Sequence, residues 1–215
     1  MISVPISLKY IKLGNYQKFL QIKNPSTEDL IKCLLEVSSP DLARMKATDV
    51  DHIAAELNEL FEVDHQFVNQ FELYGKRFGF IPKLDDITYG ENKDITNYIN
   101  DWGNMHKAMA VLFRPIEKKL SNQYIIEDYE GSHVYSDIMK DMPLSVALGS
   151  MVFFYNLTNE LLNYIPNYLQ KQISKEQMIE ADLQGNGEVI LNSIRLLKET
   201  LQGLIPSQNI NYTNA

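Results

Sequence analysis

The sequence predicts a mainly α-helical chain with one small antiparallel β-hairpin or sheet, an α+β fold that ends in a helical C-terminal layer. Apolar residues recur at three- and four-residue spacing along most of the 215 residues, as on the buried faces of helices. A β-prone run, residues 67–81, is rich in aromatic side chains around Tyr74 and Gly75. Because 45% of the residues are hydrophobic, the chain is able to bury a sizeable core.

The sequence contains no internal repeat, low-complexity tract or long linker, so we predict one domain over residues 1–215. Three parts are distinguishable within it: N-terminal helices over 1–64, a hairpin and a helix over 65–130, and C-terminal helices over 131–206. Residues 207–215 are rich in asparagine and have little to bury, which predicts a loose tail.

In the N-terminal part, Leu8–Leu13 is predicted to be extended, and a short helix follows around Tyr16 and Phe19. Three helix starts come next, because each site has a hydroxyl side chain placed to cap a first turn. These starts are Ser26-x-x-Asp29, Ser39-Pro40 and Thr48-x-x-Asp51.

The middle part begins with the hairpin and continues through a turn-rich segment over residues 82–91. Thr88-x-x-Glu91 has capping-box spacing and predicts a helix start. Apolar residues at helical spacing then run from Ile95 to Phe113, and Pro115 is expected to end that helix.

A strand, Tyr124–Tyr129, is predicted at the end of the middle part, and the last part contains a long helix that starts at Pro143. Around Met151–Phe154 this helix is apolar on nearly every side, which predicts burial at the centre of the molecule. Pro166 should end it. Two further helices are predicted near Ser174–Leu183 and Glu188–Leu204, with a glycine-containing loop between them.

Charge and cysteine content argue against several classes of protein. The net charge of −8 repels nucleic-acid phosphates, so we expect no nucleic-acid partner. Cys33 is the only cysteine, which excludes an intramolecular disulfide and suits a reducing compartment. The N-terminus has no signal-peptide pattern. The most apolar stretch, residues 146–155, is too short to span a bilayer, so we expect no membrane association.

The sequence contains no motif typical of catalysis or of cofactor binding. His52, His65, His106 and His133 form no HExxH pattern, and there is no GxSxG or phosphate-binding loop. We therefore predict a protein that is not an enzyme and has no catalytic, metal or cofactor residue. A site assembled in space around Asp85, Asp86, Glu91 and His106 stays open as an alternative, because such partners meet in the fold rather than in the sequence.

Asp85, Asp86 and Glu91 form the densest acidic cluster next to a turn. Capping of the helix that follows is the favoured interpretation. Three carboxylates could also contact a partner protein or bind a divalent cation through oxygen.

A stripe of large side chains at helical spacing consists of Trp102, Met105, His106 and Met109. Such stripes usually belong to the core, although tryptophan and methionine also suit adaptable protein interfaces. Arg114 is expected to lie in the last turn of this helix, where it would interact favourably with the helix dipole.

Three segments together resemble a known group of proteins: residues 71–91, residues 101–116, and the pattern Phe153-Phe154-x-x-Leu157-x-x-Glu160-Leu161. They resemble small acidic proteins encoded among the virion and tail genes of tailed bacteriophages. The resemblance covers about Val4 to Leu169.

This resemblance implies a tail assembly chaperone that acts in the host cytoplasm. The alternative is a structural virion component of the connector, tail or baseplate, which could be a homo-oligomer. The partner would be another phage protein. The candidate contacts are the surface-exposed part of the stripe, with Arg114 and the acidic cluster, or an edge of the hairpin that adds a strand to a partner sheet.

Overall fold

The computed structural model describes residues 7–120 and 123–157. It confirms a mainly α-helical fold with a small antiparallel sheet. The chain divides into two compact units, Met1–Val152 and Phe153–Ala215, and of the second unit only residues 153–157 are described. The single domain over 1–215 stays a prediction. The helices expected near Ser174–Leu183 and Glu188–Leu204, the break at Pro166 and the tail over 207–215 lie outside the described residues.

The first unit begins with four helices: α1 (Leu13–Leu20), α2 (Thr27–Leu35), α3 (Ser39–Leu42) and α4 (Ala47–Glu62). The capping box before α2 is confirmed, since Ser26 and Asp29 satisfy each other's backbone N–H groups. The start at Ser39-Pro40 is one residue off, because Ser38 is the N-cap of α3. The cap predicted at Thr48 is wrong: α4 starts after Lys46, whose side chain makes no capping bond.

The extended segment predicted over Leu8–Leu13 is also wrong. A 3₁₀ turn covers Leu8–Tyr10, and α1 has already begun at Leu13. The reason is tertiary, because the backbone N–H groups of Leu13 and Gly14 donate to carbonyl groups of Met142 and Lys140. These distant acceptors fix the first turn of α1 against the other end of the unit.

The sheet contains four antiparallel strands in the order β1 (Gln70–Leu73), β2 (Lys76–Phe80), β3 (Phe113–Leu120) and β4 (Gln123–Ile126). The predicted hairpin is confirmed as β1 and β2, which pair Leu73 with Lys76. Tyr74 and Gly75 have φ values of 50° and 73°, as a two-residue hairpin turn requires. The strand expected over Tyr124–Tyr129 is confirmed in its first part as β4.

The helix predicted from Ile95 to Phe113 is in fact two helices, α5 (Tyr89–Tyr98) and α6 (Met105–Leu112). Asp101 interrupts it by accepting from the Gly103 N–H in a 3₁₀ turn. Pro115 does not end the helix but lies inside β3, opposite Phe78, and its carbonyl accepts from the Glu127 N–H.

One part of the core of the first unit is a cluster of aromatic rings on one face of the sheet. Phe71, Phe78, Phe80 and Phe113 are all buried there. The Phe113 ring lies 5.2 Å from those of both Phe71 and Phe80. On the opposite face, the Tyr124 ring crosses Gly79, and its hydroxyl donates to the Phe80 carbonyl at 2.8 Å. A Cβ at Gly79 would lie 2.5 Å from that ring, so glycine is required for this crossing.

After the short helix α7 (Ser136–Met139), α8 covers the described residues 144–157 and starts just after Pro143, as predicted. Met151–Phe154 are only half-buried, so the full burial predicted there is wrong. Within the described ranges, we find no helix with both the length and the apolar character needed to cross a membrane.

Candidate functional site

Two adjoining cavities lie beside β4, which is an edge strand of the sheet. The larger, which we call the groove, has a volume of about 850 Å³ and lies between β4 and residues 81–91. The smaller, which we call the acidic pocket, has a volume of about 260 Å³ and is bounded by residues 127–135. Both are lined by Arg114, Glu127, Asp128 and Tyr129, so they meet at these residues.

The groove combines an apolar lining with an unpaired strand edge. Its apolar wall consists of Ile81, Pro82, Ile87, Tyr124, Ile125 and Ile126. The side chain of Ile125 is 46% exposed, although it belongs to a strand. Among the residues that the structure describes, β4 pairs with β3 alone, so backbone groups along its outer side have no strand partner. Such an edge is able to pair with another extended polypeptide.

The acidic pocket carries a concentrated negative charge. Its lining includes the carboxylates of Glu117, Glu127, Asp128 and Glu130, and Arg114 is the only basic residue among its lining residues. The Tyr135 hydroxyl donates to the Glu127 carboxylate. Burial and this bond together raise the pKa of Tyr135 to about 12. Tyr135 therefore remains a neutral donor that holds Glu127 in place at physiological pH.

A buried ion pair forms the wall between the cavities and α5. Arg114 Nη1 lies 2.5 Å from Glu91 Oε1, and both side chains are more than nine-tenths buried. Glu91 Oε2 accepts from the N–H and the hydroxyl of Thr88, which confirms the predicted capping box. Burial opposes ionisation of Glu91, but the hydrogen bonds from Thr88 and Arg114 outweigh it and lower the pKa of this carboxyl group.

The Arg114 side chain has one buried donor, its Nε–H, with no hydrogen-bond acceptor among the described residues. The guanidinium also lies over the Tyr129 ring, 5.5 Å from its centre. The position expected for Arg114 in the last turn of a helix is wrong, because Arg114 is the second residue of β3. It points away from the core face of the sheet, on which its neighbour Phe113 lies.

Tyr129 anchors the loop that separates the two cavities. Its hydroxyl donates to Asp94 Oδ2 of α5 at 2.6 Å. Burial first, and then the hydrogen bond to Asp94 and its charge, raise the pKa of Tyr129, while the same hydrogen bond lowers the pKa of Asp94. The loop over residues 127–131 is thereby tied to α5, so the two cavities have a fixed common border.

The structure separates the members of the predicted acidic cluster. Asp85 and Asp86 lie exposed in a 3₁₀ turn, whereas Glu91 is buried against Arg114. Asp86 and Glu91 line the groove, and Asp85 does not. Over the described ranges, no group of three or more histidine, cysteine or acidic residues could hold a metal ion.

The predicted stripe is mostly interior. Met105, His106 and Met109 are buried in α6, while Trp102 is half-buried and packs edge-on against the Tyr16 ring. His106 Nδ1 lies 3.0 Å from the side-chain amide nitrogen of Gln17. Burial, followed by nearby Lys140 and Lys107, lowers the pKa of His106. These three side chains lie in the core, which is the interpretation that helical spacing favours, so we propose no partner contact through them.

The groove and the acidic pocket were not predicted. The strand was recognised, and the acidic run Glu127-Asp128-Tyr129-Glu130 directly after it was the available signal. Nothing in the sequence shows that β4 lies at an edge, or that Glu117 and Arg114 of β3 face the same cavity.

Comparisons with known proteins add no relative: no family model matches the chain, and no curated protein or solved structure matches it significantly. The candidate site is therefore argued from its geometry alone.

Proposed function

We propose that this chain is a non-enzymatic protein-binding factor in bacteriophage tail assembly, of the tail assembly chaperone type. Its partner would be another phage protein in the host cytoplasm. The observation that carries the protein-binding part is the groove beside the unpaired edge of β4. The phage context comes from the resemblance of residues 71–91 and 101–116 to proteins encoded among tail genes.

The groove has the size and chemistry of a polypeptide site. A volume of about 850 Å³ accommodates several residues of an extended chain. Main-chain hydrogen bonds to a strand edge supply affinity without requiring one particular sequence, which suits a chaperone. The exposed Ile125 gives a bound segment apolar surface to cover.

Capture from phage-infected host cells tests this proposal. The tagged full chain should retain a tail or virion protein, identified by mass spectrometry. Ile125→Glu should lose that protein, because it places a charge at the apolar wall of the groove. Val63→Glu is the matched control, since Val63 is 61% exposed, lies at the end of α4 and does not line the groove.

Mass spectrometry of purified virions separates the chaperone from its alternative. A chaperone should be absent from finished particles. Abundant peptides of this chain in mature virions would instead support a structural component of the connector, tail or baseplate. Retention of the same proteins by the wild-type chain and by Ile125→Glu would contradict binding through the groove.

An enzyme site around Asp85, Asp86, Glu91 and His106 has less support. Glu91 is engaged by Arg114 and Thr88, and His106 contacts Gln17. Neither Asp85 nor His106 is among the residues that line the groove.

A further inference from the structure

We propose that the groove and the acidic pocket together bind a basic, extended segment of the partner, which adds a fifth strand to the sheet beside β4 and places a lysine or arginine side chain in the acidic pocket. This inference rests on the proposed function only in that the ligand is a polypeptide. It adds the binding mode and the charge of the bound segment.

The first support is that the residues lining the groove and those lining the acidic pocket follow one another along the chain. Residues 123–126 form β4 and line the groove, and residues 127–131 follow directly and line the acidic pocket. A strand rises about 3.3 Å per residue, so about four residues of a ligand would cover β4. The next one or two residues would then lie at the pocket, where Glu127 and Asp128 face both cavities.

The second support is charge complementarity. Four carboxylates line the pocket, and the one cation there, Arg114, is already matched by Glu91 at 2.5 Å. Lys118 and Lys119 of β3 are exposed and do not line the pocket. The pocket therefore keeps a local excess of negative charge, and a long basic side chain can enter while its apolar stem stays against the groove.

β4 is a better docking edge than β1 for such a segment. Both are edge strands, yet Phe71 of β1 is turned into the aromatic core, and Glu72 beside it is exposed and charged. An exposed charge on an edge strand discourages pairing with an apolar segment. On β4 the exposed central residue is Ile125.

The test measures binding of synthetic peptides to the full chain. The probes are acetylated, amidated ten-residue peptides of alternating valine and threonine with one arginine near either end. Matched peptides carry glutamine or glutamate in place of the arginine. We expect the better arginine peptide to bind about tenfold more tightly than its glutamine match, and high salt to remove most of that difference.

Matched variants of the protein test whether the arginine of the peptide binds in the acidic pocket. Asp128→Asn combined with Glu130→Gln should remove the preference for arginine, since both carboxylates are exposed and line the pocket. The control is Glu59→Gln combined with Glu62→Gln, which changes the net charge equally on the exposed face of α4. The control should bind like the wild-type chain.

Backbone evidence comes from the ligand and from amide NMR. Alternate residues of the peptide can be N-methylated in two ways, at the odd or at the even positions. One of these two patterns should abolish binding, because it removes the main-chain N–H donors that face β4. Amide shifts should change over residues 123–130 and not over residues 70–73. Equal changes at both edges would overturn the assignment to β4.

Each remaining outcome decides between proposals. Equal binding of the arginine and glutamine peptides, or preference for glutamate, overturns the basic ligand. If no peptide binds while a tail protein is still captured through the groove, this inference fails and the proposed function stands. If peptides bind and no tail protein is captured, the proposed function fails instead. Self-association that Ile125→Glu abolishes, without peptide binding, identifies a second copy of this chain as the occupant and overturns the inference.

Discussion

The two edges of the sheet use the same antiparallel pairing but differ in where their apolar side chains go. On β1, Phe71 stacks on Phe78 at 5.5 Å and meets Phe113, so this edge contributes its large side chain to the core. On β4, Ile126 is buried while Ile125 is 46% exposed beside a large groove. One edge therefore contributes its large side chain to the core, and the other leaves apolar surface exposed.

The largest expected effect contrasts these edges directly. Phe71→Ala should destabilise the protein by about 3–5 kcal/mol, because it leaves a cavity among packed aromatic rings. Ile125→Ala should change the free energy of unfolding by less than about 0.5 kcal/mol, as expected for an exposed site. Urea unfolding of both variants measures the difference, and equal losses would break the comparison.

The next largest effect is expected at the buried ion pair of Arg114 and Glu91, which borders the groove beside β4. Arg114→Met should cost about 3 kcal/mol, because it leaves the buried carboxylate of Glu91 without its partner. The double variant Arg114→Met with Glu91→Gln should recover part of that loss, since the amide is neutral and its oxygen can still accept from the Thr88 N–H. A double-mutant cycle in urea measures the coupling, and purely additive losses would contradict a direct pair.

A smaller effect is expected at the face that carries the groove. Gly79→Ala should cost about 1–3 kcal/mol, because its methyl group would lie 2.5 Å from the Tyr124 ring and must displace it. Displacement of Tyr124 should also weaken capture of the partner protein. Gly90→Ala is a useful control, since the atom nearest to its added methyl group would lie 3.4 Å away. Similar stability of the two variants would show that Tyr124 is not held over Gly79.

The smallest expected effect is a pH dependence of stability, and it comes from His106, which lies in α6 and not in either edge strand. The pKa of His106 is lowered in the folded chain from its ordinary value of 6.5. Below pH 6.5 the imidazole therefore binds a proton more readily in the unfolded chain than in the folded chain. This group's contribution to stability is complete above about pH 6.5 and is lost as the pH falls through the lower folded pKa. The loss should stay below about 1.4 kcal/mol per pH unit, the limit for one proton.

Comparison of the wild-type chain with His106→Gln isolates that contribution. The pKa of His65 is also lowered by burial, so some acid sensitivity should remain in the variant. Urea unfolding between pH 7 and pH 5 should give a shallower pH dependence for His106→Gln. Identical pH dependence in both proteins would remove His106 from the explanation.

Several features that depend on neighbours within a few residues were predictable from the sequence, although the same kind of local signal misplaced the caps at Ser39 and Thr48. The capping boxes Ser26–Asp29 and Thr88–Glu91 each join groups three residues apart, and the hairpin turn places Tyr74 and Gly75 at positive φ. Local hydrogen bonds and allowed dihedral angles decide all of these, so the sequence by itself determined them.

Features that depend on distant partners were decided only by the tertiary structure. Phe113 leaves its helical pattern for β3 because β2 pairs with it there, and Arg114 meets Glu91 across 23 positions of sequence. The groove exists because β4 has one paired side and because residues 81–91 pass beside it. Helical spacing cannot report such contacts, since each depends on which surfaces the folded chain brings together and which it leaves uncovered.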